Sequence, residues 1–303
     1  ALLMSFVFVL ILLERWSRRQ ARYHETGARV QSLPRHRLEG WRRAVGLAVC
    51  IVPLTFGFLL PAGQLLASVV RTAGHMLDAD FLRIAGNSLM LAGSAAVVTL
   101  LVGLFMAYGK RLHGDRLVRG AVRVAGMGYA IPGTVIAIGV MIPFAWLDNS
   151  IDAWMRARFD FSTGLLLSGT LVALLFAYMV RFLAVALQTA EAGLGKIRPS
   201  MDEAARALGL GPLEVLKKVH VPMLRGSLIT AMLLVFVDVL KELPATLVLR
   251  PFNFNTLAVR TYELAADERL ADAASASLAI VLAGIIPVIL LSQSLSRTRI
   301  RYE

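Results

Sequence analysis

Ser200-Met-Asp-Glu203-Ala204-Ala205-Arg206-Ala-Leu-Gly209, followed by Val221-Pro222, is a polar, helix-forming island between two long apolar runs, residues 163–188 and 225–249. A chain that leaves an apolar medium for an ordered basic loop, and then returns, presents that loop to a partner. The reading of the whole protein works outward from this island.

The surrounding composition sets the class. Of 303 residues, 57% are hydrophobic and only 17% charged, and mean hydropathy is +0.67. Ordinary globular domains carry about 25% charged residues. Several apolar runs exceed the roughly 20 residues a helix needs to cross a bilayer. They are continuous and do not alternate with period two, which excludes a β-barrel. The expected fold is therefore an all-α polytopic membrane protein. Spans are expected over 44–67, 84–109, 121–147, 163–188, 225–249 and 272–295. They form a six-transmembrane-helix domain over 44–295.

A shorter apolar piece covers 1–13 and would reach only about 20 Å as a helix. Its basic residues, Arg15, Arg18 and Arg19, follow it, whereas a signal peptide carries them in front. It reads as the tail of a preceding transmembrane helix, so the chain is expected to be the C-terminal part of a longer protein. Residues 14–43 read as a cytoplasmic basic linker, and 296–303 as a cytoplasmic tail.

Loop charge gives the orientation. Segments 14–43, 110–123, 189–225 and 296–303 hold 23 of the 32 Lys and Arg; segments 68–83, 148–162 and 250–271 hold seven. The rich set is expected on the cytoplasmic side, with the C-terminus. The net charge of +12 then reflects orientation and not a nucleic-acid partner. Cys50 is the only cysteine, and the five histidines have no metal-ligand spacing.

Residues 199–222 are expected to form two short helices joined by a turn. Ser200 and Glu203 have the spacing of a capping box. Gly209 sits where a left-handed residue closes a helix. Pro212 starts the second helix, and Pro222 is expected to end it. Asp238, Lys241 and Glu242 fall in the fifth span, at spacings that put them on one helix face. Such residues are costly in hydrocarbon. Either Lys241 and Asp238 neutralise each other and fix packing, or the face lines a pathway, with Pro244 beside it as a kink. Pro132-Gly133 suggests a hinge. Arg181 is expected near the cytoplasmic end of its span, with its head at the interface. The segment 251–271 suggests a short amphipathic helix, either a lid or a docking site.

Glu203-Ala204-Ala205, Gly209 and Val221-Pro222 resemble the EAA loop of permease subunits of binding-protein-dependent ABC importers. The resemblance implies that Glu203, Ala204, Ala205 and Gly209, with Val221 and Pro222, form a coupling helix seated on a cytoplasmic ABC ATPase dimer. Asp238 to Thr256, continued by Arg260 to Glu268, is similar to the ferric iron permeases. That implies ferric iron as cargo, delivered by a periplasmic binding protein through an inner membrane, and a second permease half from the same full-length chain or another copy. Thiamine, polyamine, sulfate and phosphonate permeases share the architecture and stay open as alternatives. The chain has no G-x-x-x-x-G-K-[ST] loop, because Gly193-Leu-Gly195-Lys196 is followed by Ile197. ATP and Mg²⁺ are thus expected on the partner, with no cofactor, metal or catalytic residue on this chain. A passive channel or a membrane enzyme is the reading of a different class.

Overall fold

A computed structural model of the chain describes residues 39–76 and 78–300, with side chains over 39–72 and 78–290. The expectations for 1–13 and most of 14–43, and for the end of the 296–303 tail, lie outside the described residues. The chain divides into two compact units after Thr55. In the first, the described residues form helix α1 (Trp41–Leu54), whose apolar side chains are exposed, as is Cys50.

In the second unit the described residues form helices joined by turns and loops. A π-helical turn, Thr55–Leu59, leads into α2 (Leu60–Met76). Then come α3 (Ala79–Leu112), the short amphipathic α4 (Arg116–Ala125), α5 (Gly133–Phe159) and α6 (Leu171–Leu194). Two short helices, α7 (Pro199–Ala207) and α8 (Pro212–Val215), precede a second π-turn (Leu216–His220) and α9 (Val221–Leu240). The chain ends with α10 (Pro244–Leu249), α11 (Leu257–Ala266) and α12 (Leu270–Ile300). Six stretches are long and apolar enough to cross a membrane: Trp41–Thr72, Ala79–Leu112, Gly133–Phe159, Leu171–Leu194, Pro212–Leu240 and Leu270–Leu290.

Helix α6 is the centre. Ala173, Ala177, Ala186 and Ala190 are fully buried and form a low surface against which α3 and α9 pack. Lipid offers no hydrophobic drive between helices, so small residues that allow close approach decide where they pack. On α3 the complement is Ala92, Ala95, Ala96 and Gly103. Outward residues such as Leu89, Phe105 and Ile142 are large, apolar and exposed, as a helix meeting hydrocarbon requires.

Three expected spans shift. The third, expected over 121–147, occupies Gly133–Phe159, and 116–125 is a separate helix. Gly126, Gly128 and Pro132 break the chain between them, and Asp115 caps α4 by accepting from Val118 N–H at 2.9 Å. The expected 148–162 loop is thus mostly helix. Asp148, 1% exposed, accepts from the backbone N–H of Leu166, Leu167 and Ser168 and fastens the following loop to α5. The fourth span begins at Leu171, later than the expected 163, with Thr170 capping it through Val172 N–H. The fifth does not run to 249. It breaks at Lys241–Leu243, because Pro244 supplies no N–H and begins a new helix.

At the end opposite the 199–222 hairpin, α11 forms as the 251–271 pattern suggested. Leu257, Val259 and Leu264 are buried, Tyr262 is half exposed and Phe252 fully exposed. Ser88 Oγ on α3 accepts from Leu257 N–H at 2.7 Å, and Arg250 pairs with Glu263 at 3.0 Å. Thr72 donates to Ala271 O at 3.5 Å, so α12 starts at this end and runs back toward the hairpin end.

Gly103 sits where α3 crosses α6. A Cβ there would lie 3.0 Å from Ala186 Cβ and 3.1 Å from Leu187 N. We expect Gly103→Val to destabilise the bundle by about 1–3 kcal/mol, read as a lowered thermal midpoint in detergent. Gly93→Ala, whose Cβ meets nothing within 4 Å, should be near neutral.

Candidate functional site

The hairpin is built almost as its sequence implies at the turn, and differently at both ends. Helix α7 starts at Pro199 with Arg198 before it and no side-chain cap, so the expected Ser200–Glu203 capping box is not formed. Ser200 already lies inside the helix, and Glu203 is exposed. The glutamate cap occurs instead at the next helix, where Glu214 accepts from Gly211 N–H at 3.1 Å. The turn is as expected. Gly209 has φ +83°, Gly209 N–H donates to Arg206 O at 2.9 Å, and Leu210 N–H donates to Ala205 O at 3.2 Å. That pair of bonds is a Schellman closure, which needs a residue without Cβ strain at this place. Pro222 does not end the helix. The π-turn over Leu216–His220 widens the preceding turn, and the chain passes through Val221 and Pro222 into α9 without interruption.

Beneath the hairpin lies a polar cluster that sequence reasoning missed. Asp202 is buried; its Oδ2 accepts from Arg111 Nε at 2.8 Å, and its Oδ1 lies 2.7 Å from His220 Nε2. His220 is wholly buried, and the edge of the Tyr108 ring meets it at 5.3 Å between centroids. Arg111 also donates to Leu194 O, which accepts from Ile197 N–H as well, and, at 2.9 Å, to Ile197 O in the turn that follows α6. Tyr108 Oη donates to Pro212 O at 2.7 Å. The last turn of α3 therefore grips α6, α7 and α8 together. Burial works to raise the Asp202 pKa, but hydrogen bonds and charge from Arg111 and His220 outweigh it and hold the carboxyl below its ordinary range. Asp202 lies inside the motif, yet its partners are remote in sequence, so no local pattern pointed to them.

The opposite face of the hairpin is open. Glu203, Ala204 and Gly209 are exposed, Leu208 is 83% exposed, and only Ala205 of the expected contact set turns inward. Val221 is half-buried and Pro222 exposed. The result is a small, rigid, partly apolar knob held from below.

The charges of the fifth span divide. Lys241 pairs with Asp238 at 2.9 Å, the first of the two arrangements the sequence left open, and Lys241 is largely exposed. Glu242 does not share their face. The helix has already ended, and its carboxylate turns inward to accept from the N–H groups of Ala245 at 3.1 Å and Thr246 at 3.3 Å. Its charge partner is Arg181, Nη1 to Oε1 at 3.4 Å. Arg181 thus corrects its expected place: it lies midway along α6, part-buried, and not at an interface. Tyr178 Oη bonds to Thr246 Oγ1, which in turn donates to Glu242 O at 2.8 Å. Gly133, the first residue of α5, packs against both charges; a Cβ there would lie 2.1 Å from Arg181 Nη1 and 2.6 Å from Glu242 Oε1. Pro132-Gly133 is therefore less a hinge in a span than the rim of a break. Among the described residues, no three His, Cys, Asp or Glu side chains cluster as a metal-ligand set.

The family model of the binding-protein-dependent transport system inner membrane component matches residues 99–302. The Fe(3+)-transport system permease protein FbpB 2 of Haemophilus influenzae is 26% identical over 71% of this chain and 39% of its own length. The chain thus spans well under half of that relative. A Salmonella typhimurium protein named for 2-aminoethylphosphonate transport, PhnV, is 26% identical over 79% of this chain and 89% of its own length. In fold, the chain is similar to a protein chain in the crystal structure of a bacterial alginate ABC transporter in complex with alginate pentasaccharide-bound periplasmic protein. The TM-score is 0.63 at 12% identity, over 87% of this chain and 96% of that one.

The Asp202 cluster makes a prediction with a sign. A carboxyl held below its ordinary value stabilises the fold above about pH 4 and loses that contribution as pH falls through the lowered value. Backbone amides over 199–215 should keep high protection factors, taken against the intrinsic exchange rate at each pH, at neutral pH and lose them only in acid. Asp202→Ala, which strands Arg111 and His220, should lower the protection at neutral pH by an amount equivalent to about 3 kcal/mol. Asp202→Asn should flatten the acid dependence.

Proposed function

Because this chain belongs to the family of inner-membrane components of binding-protein-dependent transport systems, we propose that its hairpin is the coupling element of an ATP-driven importer of ferric iron. A separate cytoplasmic ABC ATPase dimer, carrying ATP and Mg²⁺, closes and pulls the hairpin. The bundle then changes the side to which it is open, and a periplasmic binding protein delivers the cargo. A second hairpin comes from another permease half, either the rest of a longer chain or a second copy.

One observation carries the reading: the exposed knob of Glu203, Ala204, Leu208 and Gly209 is closed by a Schellman turn and clamped from beneath by Arg111 and Tyr108. A loop that merely connects two spans needs neither feature. Force transmission needs both, an open face to receive a push and a stiff mounting to pass it on. The positive-inside rule supports a cytoplasmic place for this end and for the C-terminus. Iron is supported by the likeness of residues 238–268 to ferric permeases and by the relative named for Fe(3+) transport. The relative named for 2-aminoethylphosphonate, which this chain matches over 89% of its length, favours a phosphonate as the second reading.

Gly209→Val places a β-branched residue at φ +83°, at a strain of about 1–3 kcal/mol. In the full-length transporter, we expect it and Glu203→Lys to leave membrane insertion intact. They should weaken co-purification of the ATPase and lower ATP-dependent uptake by about tenfold, a coupling loss of roughly 1.4 kcal/mol. Uptake at the unmodified rate in both variants would remove the coupling role. Uptake of radioiron against labelled 2-aminoethylphosphonate by the unmodified transporter decides between the two cargoes.

A further inference from the structure

Two helix breaks converge on Arg181. One is Gly126–Pro132, between α4 and α5; the other is Lys241–Leu243, between α9 and α10. Gly128 packs so closely on α6 that a Cβ would meet Val180 O at 2.0 Å, and Gly133 packs against the guanidinium itself. Interrupted helices meeting near the middle of a membrane protein free backbone and side-chain groups that continuous helices would occupy.

The arrangement leaves Arg181 under-satisfied. Glu242 spends its carboxylate on the Ala245 and Thr246 N–H groups, and its Oε1 approaches Nη1 only to 3.4 Å. Nε and Nη1 are buried without a hydrogen-bond partner. The side chain as a whole keeps 22% exposure, which falls on atoms other than the covered Nε and Nη1, so an incoming group meets Nη2 first and the two covered donors only as the packing around them opens. Phe182 lies 5.7 Å from the guanidinium carbon and supports it. If the pair served packing alone, a two-bond fork between the charges would be the stable geometry. Here the carboxylate orients the arginine and balances its charge without using up its donors.

We propose that Arg181 is a specificity contact of the transport pathway, and that it recognises an oxyanion of the cargo: a phosphonate, or the phosphate or carboxylate that accompanies a ferric ion. The proposal rests on the permease reading. A guanidinium matches two oxygens of such a group with two parallel donors, while Glu242 keeps the site near neutrality, so that the cargo is held briefly. A bare ferric ion would meet a guanidinium here, which offers N–H donors and no ligand atom, and no clustered ligand set among the described residues awaits it. Iron crossing at this point does so as an oxyanion complex.

The test uses the full-length transporter with its own ATPase and binding protein, reconstituted in proteoliposomes. The labelled probes are 2-aminoethylphosphonate, ferric phosphate, ferric citrate and, as a cationic cargo, spermidine. Arg181→Lys keeps the charge and loses the fork; the KM for the transported oxyanion should rise about tenfold with ATP hydrolysis little changed. Arg181→Met/Glu242→Gln removes both charges together and leaves an amide oxygen to accept from the Ala245 and Thr246 N–H groups. It should still assemble with the ATPase and hydrolyse ATP, yet lose oxyanion uptake. An unchanged KM in Arg181→Lys, or full oxyanion uptake by the double variant, would show that the pair only packs the bundle, and the proposal would fall. If the unmodified transporter moves spermidine and neither phosphonate nor ferric complexes, the oxyanion assignment falls and the permease reading stands. If nothing crosses in an ATP-dependent way, both fall. Selective uptake of the phosphonate or of the ferric complexes, lost in both variants, supports the proposal and names the oxyanion's source.

Discussion

A backbone amide or carbonyl left unbonded in an apolar interior costs several kcal/mol, by an order-of-magnitude reckoning. Each place where a helix of this chain stops inside the bundle must therefore be closed by a side chain. Several of the buried and half-buried polar side chains are those closures. Arg111 takes the carbonyls of Leu194 and Ile197 where α6 ends. Glu242 takes the first N–H groups of α10, Asp148 those of the loop before α6, and Ser88 that of Leu257 as α11 begins. The polar side chains mark where the chain turns, and the turns are what distinguish this bundle from six plain rods.

Small residues set how near the rods lie. The alanine surface of α6 admits α3 on one side and α9 on another, and the Gly103–Ala186 contact leaves no room for a further methyl group. That closeness brings the end of α3 within reach of the hairpin, so Tyr108 and Arg111, three residues apart on one helix face, can bond to Pro212 and Asp202 together. Packing in the membrane-spanning part and the mounting of the hairpin are thus one arrangement.

The sequence shows the spans because hydropathy is a property of each segment by itself. It shows the Gly209 turn for the same reason, since a Schellman closure is decided within six residues. It misplaces Ser200 as a cap, because Pro199 is as good a first helical residue as Ser200 is a cap, and the proline wins. It misjudges Pro222, whose clash is relieved by a π-turn that no residue pattern announces. The partners of Asp202 and Arg181 lie 18 to 91 positions away, and a single sequence carries no signal for such pairs. The grouping of Glu242 with Asp238 and Lys241 fails on a boundary: helical spacing has meaning only while the helix continues, and it has ended by then.

The two polar clusters are joined by rigid elements. From Arg181 to the end of α6 at Leu194 the helix runs without a break for about 20 Å, and Arg111 grips that end beside Asp202. Helix α9 runs unbroken for about 30 Å from the π-turn beneath the hairpin to the break that holds Glu242. Because Pro222 does not interrupt the chain, the hairpin is not hung on a flexible joint. If the hairpin is displaced as proposed, α6 and α9 carry the movement to opposite partners of one ion pair. If α6 and α9 move unequally, the Arg181–Glu242 separation changes, and with it the number of guanidinium donors free for another group. A polar contact at the meeting of two breaks can change in this way under a small shift, whereas the alanine-lined crossings around it cannot, since they have no slack to give.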